Sequence, residues 1–413
     1  MGVTRPATDP ETTRVTWHHR EPGWLPDLDG FVDPVGETPV WSTGDFRRVA
    51  AELPHHGLSH LVAEVSGRPV LIAPVLHSPA PGGLLFYDVP AMIGDDRAFG
   101  LDIPTLPEPD RAALYPSLAI AMHGAYHGIL VARDTSPQLR RDLCGRLLDA
   151  LADLARDLAC PSSALLYATP GLMPWLRPDH RHTTAVLGAE STLETDAADF
   201  SGYLARLTRR RRTRITRERR LYLDGPAHSE VATGPQAIGD DLVDLRCNLR
   251  RRYGLPEQRE RTEAEFAALA RWCGHRIVVN RSIVDGDVMG FVISLRHGHT
   301  LYARTAGFDY DRLGNRDFCY FNVAYYDMIE WGLPRGVRAL GLGLAGYPGK
   351  RTRGCRFEPR HGIFQLPADS PARAVLAAQD DTERQRLVAE CGTGLDLPVD
   401  RGPLTSMDGD RWT

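Results

Sequence analysis

An ammonium that must become a nucleophile needs a base within hydrogen-bond reach, and a carboxylate lifted by burial meets that need near neutral pH. Two aspartates suit the task by position. Asp88 follows Leu84-Leu85-Phe86-Tyr87, which reads as a strand, and Asp110 lies in Pro107-Glu108-Pro109-Asp110, which reads as a stiff loop. Capping a loop is the alternative role for both. Lys350 is the single lysine among 49 basic residues, and it shares a Pro348-Gly349 turn with Arg351 and Arg353. Such a turn beyond a strand brings cations to a ligand, or is simply solvated. Tyr302 and Arg304 fall on one strand face by the two-residue period, where a phenol and a guanidinium orient an anionic or carbonyl group; ordinary strand packing is the alternative. The expected catalytic groups are therefore Asp110, Asp88, Lys350 and Tyr302, with Arg304, Arg351 and Arg353 as anion-binding groups.

Residues 209–220 carry eight arginines. Like charges at helical spacing repel, so an anion is expected to neutralise them unless acidic residues of the same fold do so. Arg209, Arg210, Arg211, Arg212, Arg214 and Arg217 are the expected partner-binding set. Phosphates of a tRNA or the surface of an acidic carrier protein fit that field, with a small amino-acid-derived substrate as the cargo. Leu204, Leu207, Ile215 and Leu221 form a thin apolar seam that docks the helix. No metal site is expected. His180/His182 and His297/His299 lack a third ligand at metal spacing and read as surface pairs, and the seven cysteines form no CxxC. Gly349-Lys350-Arg351 fails the phosphate-loop pattern, which argues against nucleotide binding; no cofactor and no DNA partner are expected.

The elements that position these groups follow from periodicity. Leu61–Val65 and Pro69–Leu76 read as a hairpin around Ser66-Gly67-Arg68. Ser117–Met122 reads as a strand, Pro137–Leu158 as a helix with leucines at helical spacing, and Ser162–Ala168 as another strand. The second half repeats the order: strands at Arg276–Asn280 and Val288–Leu295 around Asp285-Gly286, a strand at Thr300–Ala303, a helix at Phe318–Trp331 and a strand at Val337–Leu342. A duplicated unit is the simplest reading. The expected domains are an irregular arm at 1–35, one unit at 36–198, a second at 199–370 beginning with the basic helix, and a helix and tail at 371–413. With 413 residues, 42% of them hydrophobic, two cores are affordable in sequence terms. No apolar run reaches membrane-spanning length and the first residues lack an apolar signal core, so a cytoplasmic location and no membrane partner are expected.

The run Arg209–Arg220 followed by Gly225, with Tyr302-Ala303-Arg304, Tyr320-Phe321-Asn322, Tyr325-Tyr326 and Lys350-Arg351-Thr352-Arg353-Gly354, resembles the FemAB-like branch of GNAT-fold proteins. His77-Ser78, Tyr87-Asp88 and Tyr115-Pro116-Ser117-Leu118 extend the resemblance over residues 60–365. It implies an α/β (α+β) fold of two tandem GNAT-like domains and transfer of an aminoacyl group from charged tRNA to an amine. The sequence departs from ordinary GNAT enzymes in lacking the [QR]-x-x-G-x-[GA] loop, so acetyl-CoA is not expected as a cofactor. Length and duplication are also similar to the aziridine-forming proteins of azinomycin-type antibiotic pathways. That resemblance implies an alternative chemistry, ring closure by a substrate's own amine with loss of sulfate. A non-catalytic adaptor that binds tRNA or a carrier protein is the third reading.

Overall fold

The computed structural model describes residues 15–53, 57–82, 85–93, 105–313, 318–392 and 395. Its strands are β1 (Val15–Arg20), β2 (Phe31–Val32), β3 (Leu58–Val65), β4 (Arg68–Ser78), β5 (Ser117–Ile120), β6 (Leu130–Ala132), β7 (Ser162–Ala168) and β8 (His182–Glu194). Then come β9 (His228–Thr233), β10 (Ile277–Val284), β11 (Asp287–His297), β12 (Thr300–Phe308), β13 (Ala339–Gly341) and β14 (Arg356–Gln365). Among the described residues they build one 14-stranded sheet whose main path is β1-β3-β4-β5-β7-β14-β8-β13-β12-β11-β10-β9.

Read inward from either edge, the pairings are the same: three antiparallel, one parallel (β5 with β7, β12 with β13), then one antiparallel. The fold is thus two tandem GNAT-like units of one topology. Their last strands are exchanged. β14, from the second half, pairs with β7 of the first, while β8 pairs with β13 of the second, and β14 and β8 pair with each other at the centre.

Local chemistry sets the repeat. Both hairpins turn on two residues with positive φ, Ser66-Gly67 and Asp285-Gly286, the pattern whose twist matches the flanking strands. The helix Pro137–Asp157 is capped by Ser136, whose Oγ accepts the Leu139 amide at 3.3 Å, and it buries Leu143, Leu147, Leu151 and Leu154 against the first half of the sheet. A continuous core also joins the halves: Trp41, Phe46 and Val49 pack with Leu269, Cys273 and Ile293. Glu52 of the helix Gly44–Glu52 accepts from the Trp272 indole at 2.7 Å. No helix among the described residues is long and apolar enough to cross a membrane.

Several expected elements differ. Val15–Arg20, inside the arm expected to be irregular, pairs with β3 as a strand. Leu85–Tyr87 form a turn, because Asp88 begins the short helix Val89–Met92. Asp110 lies in the helix Glu108–Ala112, where Pro109 occupies a first-turn position that needs no amide hydrogen. The basic stretch breaks into Phe200–Ala205 and Arg209–Leu223, and its apolar face uses Ile215 and Tyr222; Leu221 is exposed. The helix expected at Phe318–Trp331 contains a π turn at Asn322–Tyr326, which aims Tyr326 at Glu218.

Candidate active site

Parallel strands in these units stay paired only briefly. β5 and β7 pair from Ser117↔Ser162 to Ile120↔Leu165, and β12 and β13 from Thr300↔Ala339 to Tyr302↔Gly341. The residues that follow line two adjoining cavities between the halves. One, of about 770 Å³, has Tyr87, Gly124 and Tyr167 from the first half, and Ala303, Arg304 and Gly343 from the second. The other, of about 410 Å³, is richer in carboxylates: Asp33, Glu37, Glu194 and Glu358, with Arg360 and Tyr302. Trp41, Gly124, Ala125, Glu190 and Gly341 line both. Two of these must be glycine for lack of room. A Cβ on Gly124, at φ +97°, would lie 2.4 Å from the Trp41 ring, and one on Gly341 would lie 2.7 Å from the Tyr302 ring.

Glu190 is the titratable group at the junction. It lies on β8, opposite Glu358 of β14, and accepts the Gly343 amide at 3.0 Å. Desolvation raises its pKa above the ordinary glutamate value, with Arg360 and Lys350 pulling the other way. A carboxylate in this state accepts a proton from an ammonium more readily than an exposed one. Sequence reasoning missed it. The signal was present as the only charge between Thr183 and Leu193, an otherwise uncharged β-prone run.

The sequence-predicted residues divide. Tyr302 and Arg304 reach the cleft. The Tyr302 ring lies 5.6 Å from that of Trp41, and burial pushes its phenol pKa up to about 12, so the phenol stays protonated as a donor. Arg304 pairs with Glu265 at 2.7 Å and lies over Phe46. Asp88 and Asp110 line neither cavity. Asp88 is fully buried as a helix cap, accepting from the Ala91 amide at 3.2 Å and the Tyr115 hydroxyl at 2.7 Å.

Lys350 is also buried, not exposed in a turn. Its Nζ donates to the carbonyls of Leu342 (2.8 Å), Gly343 (2.7 Å) and Leu344 (3.1 Å), one acceptor for each ammonium proton. Burial lowers its pKa to about 8. It holds the Gly341–Gly346 loop that supplies the amide bound by Glu190. Arg353 is fully buried: it donates to Glu218 at 2.5 Å and to the Gly349 carbonyl at 2.8 Å, and stacks 3.6 Å from the Phe321 ring centroid. Glu218 also accepts from Tyr326. Thus Lys350 and Arg353 are internal supports.

Arg351 instead shares a separate cavity with Arg210, Arg211 and Arg214. Of the remaining basic-helix residues, Arg209 and Arg217 are exposed, and Arg212 reaches back to the Leu207 carbonyl at 3.4 Å. Among the described residues no His, Cys, Asp or Glu cluster has metal-binding form. The ring of His182 is mostly covered and lies 2.9 Å from Asp179, so it is not the surface residue expected.

Comparison with curated protein sequences finds no match. Among solved structures, FemX aligns with a TM-score of 0.51 at 11% identity, covering 81% of this chain and 93% of FemX. A tandem GNAT protein from the clavulanic acid biosynthesis pathway aligns at 0.42 and 12% identity, covering 78% of this chain and 89% of that one. L-PGS from Bacillus licheniformis aligns at 0.45 and 9% identity, over 81% and 91%. At these identities the likeness to FemX speaks for the fold alone. The profile of the FemAB-like family, described as peptidoglycan biosynthesis/recognition, matches residues 114–391, which include Glu190, Tyr302 and Arg304 of the cleft. The chain belongs to the FemAB-like family.

Proposed function

We propose that this protein transfers an aminoacyl group from an ester donor to an amine, with Glu190 as the general base. One observation carries the reading: a half-buried carboxylate with a raised pKa stands where a carboxylate-rich cavity meets one lined by arginines and aromatic rings. The acidic side suits a cationic amine, and the other side suits the donor. Glu190 takes one proton from the acceptor ammonium. The freed nitrogen attacks the ester carbonyl, the C–N bond forms and the C–O bond breaks, and the proton shed on forming the amide goes to the leaving oxygen. Tyr302 and Arg304 face the negative charge that develops on the carbonyl oxygen. Lys350 acts through the loop it holds, as a positioning residue.

The family's description, peptidoglycan biosynthesis/recognition, supports a peptidoglycan precursor as the acceptor class, and the resemblance of the motifs to FemAB-like transferases implies aminoacyl-tRNA as the donor class, with exposed Arg209 and Arg217 available to an anionic carrier. Ring closure with loss of sulfate needs the same base and cations, but neither fold nor family favours it.

The test is incubation of the full chain with aminoacyl-tRNA and an amine-bearing peptidoglycan precursor, followed by mass spectrometry. The precursor should gain the aminoacyl mass. Glu190→Gln keeps the acceptor for the Gly343 amide but not the proton affinity, so turnover should fall by roughly two to four powers of ten. Parental turnover by that variant would remove Glu190 from the role of base, and loss of sulfate mass from a sulfated amine would move the chemistry to ring closure.

A further inference from the structure

The cavity that shares no lining residue with the cleft has a volume of about 680 Å³, and five arginines converge on it from different parts of the chain. Arg210, Arg211 and Arg214 come from the helix Arg209–Leu223, Arg351 from the helix Tyr347–Thr352, and Arg356 from the start of β14. Arg214 is paired with Glu218 at 2.9 Å and Arg356 with Glu194 at 3.0 Å. Arg351 reaches the Ala389 carbonyl at 3.3 Å. Arg210 and Arg211 form no ion pair among the described residues. The basic helix starts at the same cavity, with no acidic residue in its first turn and no side-chain cap from Thr208, so its positive end adds to the field. Phe357, Cys355 and Cys391 supply buried apolar surface.

We infer that this cavity binds a compact phosphate, a phosphomonoester or diphosphate whose organic part rests on the apolar surface. Guanidinium forks match phosphate oxygens, and unpaired guanidinium groups retain donors for them. A concave convergence from three elements suits a small dianion better than a long polyanion, which needs charges spread along an outer face. The inference is independent of acyl transfer at Glu190.

Calorimetric titration of the full chain with inorganic pyrophosphate at low salt tests it. Saturable one-to-one binding is expected, weakened roughly tenfold or more when Arg210→Ser and Arg351→Ser are combined. Arg209→Ser with Arg217→Ser, outside the cavity, should leave affinity within about twofold. Arg211→Lys keeps the charge but not the fork, and should weaken binding by a smaller factor than Arg211→Ser. Circular dichroism confirms that the variants are folded. Absence of saturation, or an equal loss from the Arg209/Arg217 pair, overturns the site. Equally strong competition by oligonucleotides with and without a terminal phosphate also overturns it, in favour of an extended polyanion.

Discussion

The central cleft and the arginine-lined cavity are both rich in guanidinium groups but hold them differently. In the cleft Arg304 is paired with Glu265 and Arg386 with Glu383, each at 2.7 Å, Arg360 is paired with Glu358, and Arg246 is tied to the Ala306 carbonyl at 3.3 Å instead of to a carboxylate. In the other cavity Arg210 and Arg211 have no ion pair among the described residues. Paired cations are fixed before substrate arrives and act as preorganised dipoles, whereas unpaired cations offer net charge and free donors to an incoming anion. The difference separates a place for chemistry from a place for binding. Between them, Arg353 and Lys350 belong to the core and hold both sites in shape.

Substitutions along 350–353 sharpen that division. The largest effect is expected for Arg353→Met, which takes from buried Glu218 its buried partner, leaves it the exposed Arg214 as its remaining cation, and should cost about 3 kcal/mol or more in denaturant unfolding. Lys350→Met takes a donor from three carbonyls, of which that of Gly343 keeps the Ser191 amide at 3.2 Å, and should cost about 2–3 kcal/mol, with a further fall in turnover as the Gly341–Gly346 loop loosens. Arg351→Ser, between them in sequence, should change stability by less than about 0.5 kcal/mol. Equal losses at all three positions would erase the distinction between internal and ligand-facing cations.

Much of the repeat was legible because it is local. The two hairpins, the helix Pro137–Asp157 and β7 follow from turn residues and apolar period, which a single segment carries by itself. The exchange of β8 and β14 was not, since no local pattern names a strand's partner. β14 also hides as a strand: Pro359 and Gly362 are poor strand residues, and the structure absorbs them at register shifts, one between Pro359 and His361 against β8 and one between His361 and Ile363 against β7. Missing these strands meant missing Glu190 and Glu358. Tyr302 and Arg304 were found because the period-two rule places them on one face. Asp88, Lys350 and Arg353 were assigned to ligands because sequence shows a charged residue but not the caps, carbonyls and carboxylates that claim it.

The pH dependence of transfer tests the central claim most directly. Desolvation raises the Glu190 pKa, so the basic form is lost as pH falls through a value above the ordinary carboxylate range, and kcat/KM should fall with it. Measured from about pH 4 to 9 with one donor and one amine, the parent should show that acid limb on top of the titration of the amine itself. Glu190→Gln should lack it and run roughly two to four powers of ten slower on the plateau. A variant with the parental plateau and the same acid limb would contradict Glu190 as the base and the central cleft as the seat of the reaction.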